Sequence, residues 1–270
     1  TNTLDTEVTT IDVLNEVSGN IQISEVAAGG DLDVQEATQA GTTGSISLTT
    51  QRGDLTVLAP PGLNLGVRLT NGANNGGTIL LDANVTAASQ EPGDGNVVVD
   101  NVVTSQGGTI TVNADHDITG AATGDISSGG GAIGITADEN DPTPNESGTI
   151  QLRGNIAAGA GTVTFSLADC DGFIGATVGG SDGMVTAANI VMGIDARSPE
   201  GVLRLNAGSS AADDNEFSGT TTVAHIHCCT ATPLTGTAGV ATQTPSFVGF
   251  PLGVTSGSFD NTYDTTQAPS

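Results

Sequence analysis

The sequence predicts an all-β protein folded as a parallel β-helix, also called a β-solenoid. Glycine is frequent, at 39 of 270 residues, and short runs of alternating β-branched and polar residues recur behind it. Aromatic residues make up only 3% of the chain, and Trp is absent. Globular cores usually draw much of their buried area from aromatic side chains. Thin layers of Val, Ile and Leu, stacked repetitively, do not need them.

The repeated unit is one or two Gly, a small polar residue, and then alternating apolar and polar positions. This alternation predicts short strands, each entered through a tight turn. No window has helical periodicity, so essentially no helix is expected. Copies of the unit occupy residues 19–23, 30–34, 44–48, 53–57, 77–81, 95–99, 108–112, 131–135, 148–152, 161–165, 201–205 and 219–223.

The spacing of these units favours a solenoid over other β folds. Units taken in pairs predict coils running from Gly19 to Gly44 and from Gly44 to Gly66. A self-similar unit of about 20–30 residues, with insertions confined to turns, is typical of solenoids. Tandem β-sandwiches are the alternative, because closely spaced strands fit them as well. The strands of a sandwich would differ in pattern, however, and here they share one.

Three segments follow from the distribution of the units. Residues 1–18 alternate without a leading Gly, which predicts a capping or subunit-pairing strand. Residues 19–229 form the predicted solenoid. Residues 230–270 are rich in Thr, Pro and Gly, so they are expected to be an extended lid or linker. The expected buried anchors of an assembly joint in the first segment are Leu4, Val8, Ile11 and Val13.

The chain is strongly acidic, with 30 Asp and Glu, five Arg and no Lys, for a formal charge of −25. Such a surface repels nucleic acid and anionic membranes, so neither is an expected partner. No apolar run approaches the ~18 residues of a membrane-spanning helix. The chain starts at Thr1 without a signal segment, which suggests a processed mature chain or an excised region.

Oxygen-rich loops are candidate calcium sites, because Ca²⁺ takes six to eight oxygen ligands. The alternative is that these loops are solvated acidic turns. The candidate ligands are Asp138, Glu139, Asp141, Asp213 and Asp214.

A separate cluster combines histidine and cysteine. On a strand, His225, His227 and Cys229 would share one face and could bind zinc or copper. The favoured alternative is a disulfide from Cys170 to Cys228 or Cys229, and a vicinal Cys228–Cys229 bridge is a third reading.

Catalysis is not expected. Parallel β-helices include polysaccharide lyases and hydrolases, which makes a carbohydrate-binding or polysaccharide-degrading enzyme the alternative function. Lyases generally use a Lys or Arg base with aromatic sugar platforms, and this chain has no Lys, no Trp and one Tyr. A hydrolase would need two carboxylates at a defined separation, which the sequence does not indicate.

Residues 107–120 and 155–167 resemble the repeats of filamentous-haemagglutinin-like adhesins and giant glycine-rich bacterial surface proteins. The resemblance extends over roughly residues 19–205. It implies a secreted protein of the cell surface or extracellular matrix, with a structural or adhesive role and no fixed active site. Self-association into a filament or lattice and contact with surface glycans are the partners it implies.

Overall fold

The computed structural model describes residues 4–26, 30–59, 65–70, 76–83, 95–137 and 150–167, and the backbone of six further strands as far as Asp264. These residues form strands and turns, without a helix. The first eleven strands are β1 (Leu4–Thr6), β2 (Thr10–Asn15), β3 (Ile21–Glu25), β4 (Leu32–Gln39), β5 (Ile46–Thr50), β6 (Leu55–Val57), β7 (Gly66–Leu69), β8 (Ile79–Ala83), β9 (Val97–Val99), β10 (Val103–Thr104) and β11 (Ile110–Ala114). The remaining strands are β12 (Ile118–Gly120), β13 (Ile126–Ser127), β14 (Ile133–Ala137), β15 (Ile150–Leu152), β16 (Ile156–Leu167), β17 (Phe173–Ala176), β18 (Val185–Ile194), β19 (Val202–Leu205), β20 (Glu216–Ile226), β21 (Ser256–Ser258) and β22 (Asn261–Asp264).

The strands stack in parallel along three faces of a solenoid. Face A contains β1, β3, β5, β8, β11, β14, the second half of β16, and the corresponding parts of β18 and β20. Face B contains the starts of β2 and β4, followed by β6, β9, β12 and β15. Face C contains the ends of β2 and β4, followed by β7, β10, β13 and the start of β16. The predicted parallel β-helix is therefore confirmed, and the antiparallel sandwich alternative is not what the chain forms.

The core is a set of apolar columns, one residue per coil. Because side chains alternate across a strand, the Gly-led units turn every second residue inward. On face A the column through Ile21 continues, fully or almost fully buried, through Ile46, Ile79, Ile110, Ile133 and Val163. The matching columns are Leu32, Leu55, Val97, Ile118 and Ile150 on face B, and Ala37, Val67, Val103, Ile126 and Ile156 on face C.

Glycines stack at the corner where each coil enters face A. A Cβ built on Gly44 would collide with the Gly19 carbonyl, and one on Gly77 would collide with the Gly44 carbonyl. The same relation holds for Gly108 on Gly77 and for Gly131 on Gly108. The leading Gly of the repeat is thus required by the close approach of successive coils at this corner.

These stacked glycines correct one predicted coil boundary. The coil from Gly19 to Gly44 is confirmed, but the coil from Gly44 to Gly66 is wrong, because Gly77 is the residue that stacks on Gly44. Gly66 begins β7, the third strand of that coil. In the coil before it, β4 bends through a corner and serves two faces without a Gly between them. Counting Gly-led units in pairs therefore misses one strand per coil.

The small polar residue of the repeat links neighbouring coils through its side chain. Asp31 Oδ1 accepts a hydrogen bond from the Asp54 backbone N–H at 3.0 Å. Asp54 Oδ1 accepts bonds from the backbone and side-chain amides of Asn96, both at 2.9 Å. Asn96 Oδ1 then accepts from the Asp117 N–H at 3.0 Å. These side chains provide hydrogen-bond acceptors for turn N–H groups that have no partner within the sheet.

Candidate functional site

The four predicted assembly anchors lie in the first described coil, residues 4–18, whose strands pair with the second coil. Leu4 heads the face A column that continues through Ile23 and Leu48. The side chain of Leu4 is 60% exposed, whereas Ile23 is 4% exposed and Leu48 is fully buried. Leu4 is therefore in register with the core column but is not buried as the residues after it are.

The other three predicted anchors belong to the same first coil, residues 4–18. Ile11 heads a face B column and is 7% exposed. Val13 heads a face C column and is partly buried against the core. Val8, between β1 and β2, is 44% exposed. Three of the four anchors thus head one interior column each, and Val8 lies at the corner that joins two faces.

A buried glutamate holds this corner of the first coil. Glu25 is 1% exposed, and its Oε2 accepts hydrogen bonds from the Val8 N–H at 2.8 Å and the Thr6 hydroxyl at 3.0 Å. In the following coils the same inward position is taken by Thr50 and then by Ala83. The only sequence signal for this contact is a carboxylate at an inward strand position, where the repeat pattern predicts an apolar residue.

A buried glutamine holds the next corner. Gln39 is fully buried, and its Oε1 accepts a hydrogen bond from Asn15 Nδ2 at 2.6 Å. Gln39 Nε2 donates to the Val17 carbonyl at 2.8 Å. Residues 4–18 are therefore attached to the second coil by buried polar contacts as well as by strand pairing.

The surface around this end is acidic. Asp5, Glu7, Asp12 and Glu16 are exposed on the first coil. Residues 1–51 contain eight Asp and Glu and no Lys or Arg.

On the second coil, burial raises the pKa of the Asp33 carboxyl, and the nearby Asp31 carboxylate raises it further. A raised pKa means that the folded state holds this proton more tightly than the unfolded chain does. The Asp33 carboxyl therefore favours folding at acid pH, and that contribution is lost as the pH rises through its folded-state pKa.

At the C-terminal end of the described stack, strands also pair antiparallel. There β21 pairs antiparallel with the start of β20, and β22 pairs antiparallel with β19. Both strands come from the Thr- and Pro-rich segment after residue 229. Antiparallel strands thus close part of the C-terminal end, while β1 and β2 pair on one side only among the described strands.

The predicted metal and disulfide residues fall mostly outside the described residues. This applies to Asp138, Glu139, Asp141, Asp213, Asp214, His227, Cys170, Cys228 and Cys229. The backbone of His225 lies in β20, opposite Gly193 of β18. Within the described ranges, no three His, Cys, Asp or Glu side chains are grouped as a metal site would require.

Comparison with known proteins adds no relative. No family model, curated protein or solved structure matches the chain. In the described part of the chain there is no helix of the length and hydropathy needed to cross a membrane.

Proposed function

We propose that this chain is an extracellular structural or adhesive protein, either a rod or a repeating subunit of a surface filament, layer or matrix, without catalysis. The observation that carries the proposal is the uninterrupted parallel stack: face A alone contains nine successive strands, from β1 to β20. At about 4.8 Å per coil the stack is roughly 40 Å long. A stack of this kind is a stiff spacer whose length is set by the number of coils.

The side chains that point outward support a structural role. An enzyme acting on sugars would gather acid, base and aromatic groups in one groove, whereas a rod needs only short, well-solvated side chains. Hydroxyl side chains are frequent among the outward positions: Ser47, Thr111 and Thr164 on face A, Thr56 and Thr119 on face B, and Thr104 and Ser127 on face C. They are interrupted by Leu80 on face A, Val98 on face B and Arg68 on face C.

Self-association into a filament or lattice belongs to the same proposal. A charge of −25 per chain opposes the approach of two copies. Salt or divalent cations screen that repulsion, so assembly should strengthen as ionic strength rises.

The proposal is tested by incubating the purified chain with neutral, acidic and basic polysaccharides and measuring reducing ends and unsaturated uronates. We expect no product above a heat-denatured control. Small-angle scattering of the same sample should give an elongated particle, and sedimentation should show larger species at high salt. Release of sugar products by the native chain would overturn the proposal in favour of a polysaccharide-degrading enzyme.

A further inference from the structure

Negative charge is distributed unevenly around the solenoid. Between residues 19 and 167 the structure describes ten acidic side chains, and eight of them lie on face B or at the two corners beside it. These eight are Asp31, Asp54, Asp115 and Asp117 at the corner before face B, and Asp33, Glu36, Asp100 and Asp125 on that face or at the corner after it. Of the other two, Glu25 points inward and Asp82 lies on face A. The acidic surface is therefore concentrated on one side of the described stack.

Face A is the flat surface with the lowest charge in this part of the chain. One of its outward columns consists of Gln22, Ser47, Leu80, Thr111, Gly134 and Thr164. A second outward column lies two positions earlier in the same strands, from Asn20 to Thr162. Neither column contains a charged residue or an aromatic residue. We call these two columns the neutral strip.

The polar side chains of the first three coils of the strip are hydrogen-bonded along the stack. Asn20 Oδ1 accepts a hydrogen bond from the Ser45 N–H at 3.0 Å. Ser45 Oγ accepts hydrogen bonds from the Thr78 N–H at 2.9 Å and from the Thr78 hydroxyl at 3.2 Å. A polar group that has a partner within the chain costs less to remove from water than one without a partner. Another surface can therefore cover this part of the strip without leaving these acceptors unsatisfied.

The spacing of the strip matches a second copy of the chain. Its side chains repeat about every 4.8 Å along the stack, and a second copy has the same period, so two strips can interdigitate over their whole height. Over the six strands from β3 to β16, face A measures about 30 Å by 20 Å, or about 600 Å². Two such faces would bury about 1,200 Å², which is the lower end of the range for specific interfaces.

We propose that face A packs against face A of a second copy, with neutral strip against neutral strip and the acidic sides turned towards solvent. The inference rests on the self-association in the proposed function and names its contact surface. Depletion of charge at the centre is a feature of protein interfaces, and the strip has it in a chain of charge −25. Salt screens the remaining repulsion between the acidic sides, so pairing should strengthen as salt rises.

The test places charge on the strip and, as a matched control, on face B. Ser47→Glu/Thr111→Glu adds two charges to the strip, and Thr56→Glu/Thr119→Glu adds the same two charges to outward positions of face B in the same coils. Sedimentation equilibrium at high salt should show a dimer of the unmodified chain. We expect its Kd to rise at least tenfold in the face A variant and to stay unchanged in the face B variant. Circular dichroism checks that each variant keeps the β fold.

A mixing experiment asks whether the strip meets another strip. Ser47→Lys/Thr111→Lys should also weaken the dimer, because like charges would then face each other. An equal mixture of this variant with Ser47→Glu/Thr111→Glu should restore association, since opposite charges would meet across the interface. Absence of this rescue would mean that the strip contacts a different surface, which overturns the proposal.

Three other outcomes also overturn it. An unchanged Kd in the face A variant would mean that the strip is not the contact, and equal weakening in the face B variant would mean that total charge alone acts. A chain that stays monomeric at every salt concentration, yet binds cellulose through the strip, would make a neutral polysaccharide the occupant. None of these results depends on the release of sugar products or on the elongated shape of the particle. Failure of the contact surface and failure of the structural role are therefore distinguishable.

Discussion

At the scale of single residues, the stack depends on positions where a side chain is forbidden. Gly108 lies so close to the Gly77 carbonyl that a Cβ would overlap it. Gly134 lies within β14, and a Cβ there would meet nothing within 4 Å. Two glycines in successive coils thus face opposite steric conditions.

Replacing these two glycines should change stability in opposite directions. Gly108→Ala should lower the free energy of unfolding by about 1–3 kcal/mol, because backbone of two adjacent coils must move apart. Gly134→Ala should raise it by about 0.4–1 kcal/mol, because Ala restricts the unfolded chain without strain in the folded one. Urea denaturation followed by circular dichroism measures both. Similar effects of the two substitutions would contradict the steric account of the glycine stack.

At the scale of elements, the first coil is attached through the buried carboxylate of Glu25. Glu25→Ala removes the acceptor of the Val8 N–H and the Thr6 hydroxyl, and an unsatisfied buried donor costs about 1–3 kcal/mol. We expect faster amide hydrogen exchange over residues 4–18, while the coils further along the stack stay protected.

The control is Glu25→Gln, which keeps one carbonyl acceptor and should have a smaller effect on exchange. Mass spectrometry of peptides from the exchanged protein measures each coil separately. Unchanged exchange of residues 4–18 in Glu25→Ala would mean that strand pairing alone holds the first coil.

The strands themselves could be predicted from the sequence, because the Gly-led alternation is a local signal. Ile46, Leu48, Ile79 and Leu81 are buried as their period of two requires. The grouping of strands into coils could not be predicted in the same way. It depends on a bend within β4, which serves two faces and carries no Gly between them.

The repeat pattern also does not predict the polar contacts that attach the first coil to the second. Gln39 occupies an inward position, where the pattern expects an apolar residue, and its amide is satisfied only by Asn15 and by carbonyls of the adjacent turns. A buried polar side chain is stable only when it is hydrogen-bonded, and the partners of Gln39 are distant in sequence, so the sequence alone does not reveal them. Leu4, Ile11 and Val13 are in register with core columns, as the alternation of the sequence indicates, and their role as anchors of an assembly joint stays a prediction.

At the scale of the whole molecule, charge is the dominant property. If acidic turns bind Ca²⁺ in the folded state and not in the unfolded chain, millimolar calcium should raise Tm by mass action. We expect a larger rise with CaCl₂ than with NaCl at matched ionic strength, measured by thermal circular dichroism. Equal shifts with the two salts would mean that screening alone acts, and the loops around Asp138 and Asp213 would then be solvated turns.

The register of the stack has a consequence for how such a gene can change in length. Deletion of residues 44–76 would remove one whole coil and bring Gly77 onto Gly19, with Ile79 over Ile21 and Leu81 over Ile23. Faces B and C would rejoin in the same way, with β9 over the start of β4 and β10 over its end. The columns through Ile21 and Ile23 would stay apolar, Ala83 would follow Glu25, and Gly77 would take the place of Gly44 against Gly19. Duplication or loss of a complete coil therefore keeps the register of the stack, so the length of the molecule can change in evolution by whole coils while its cross-section stays fixed.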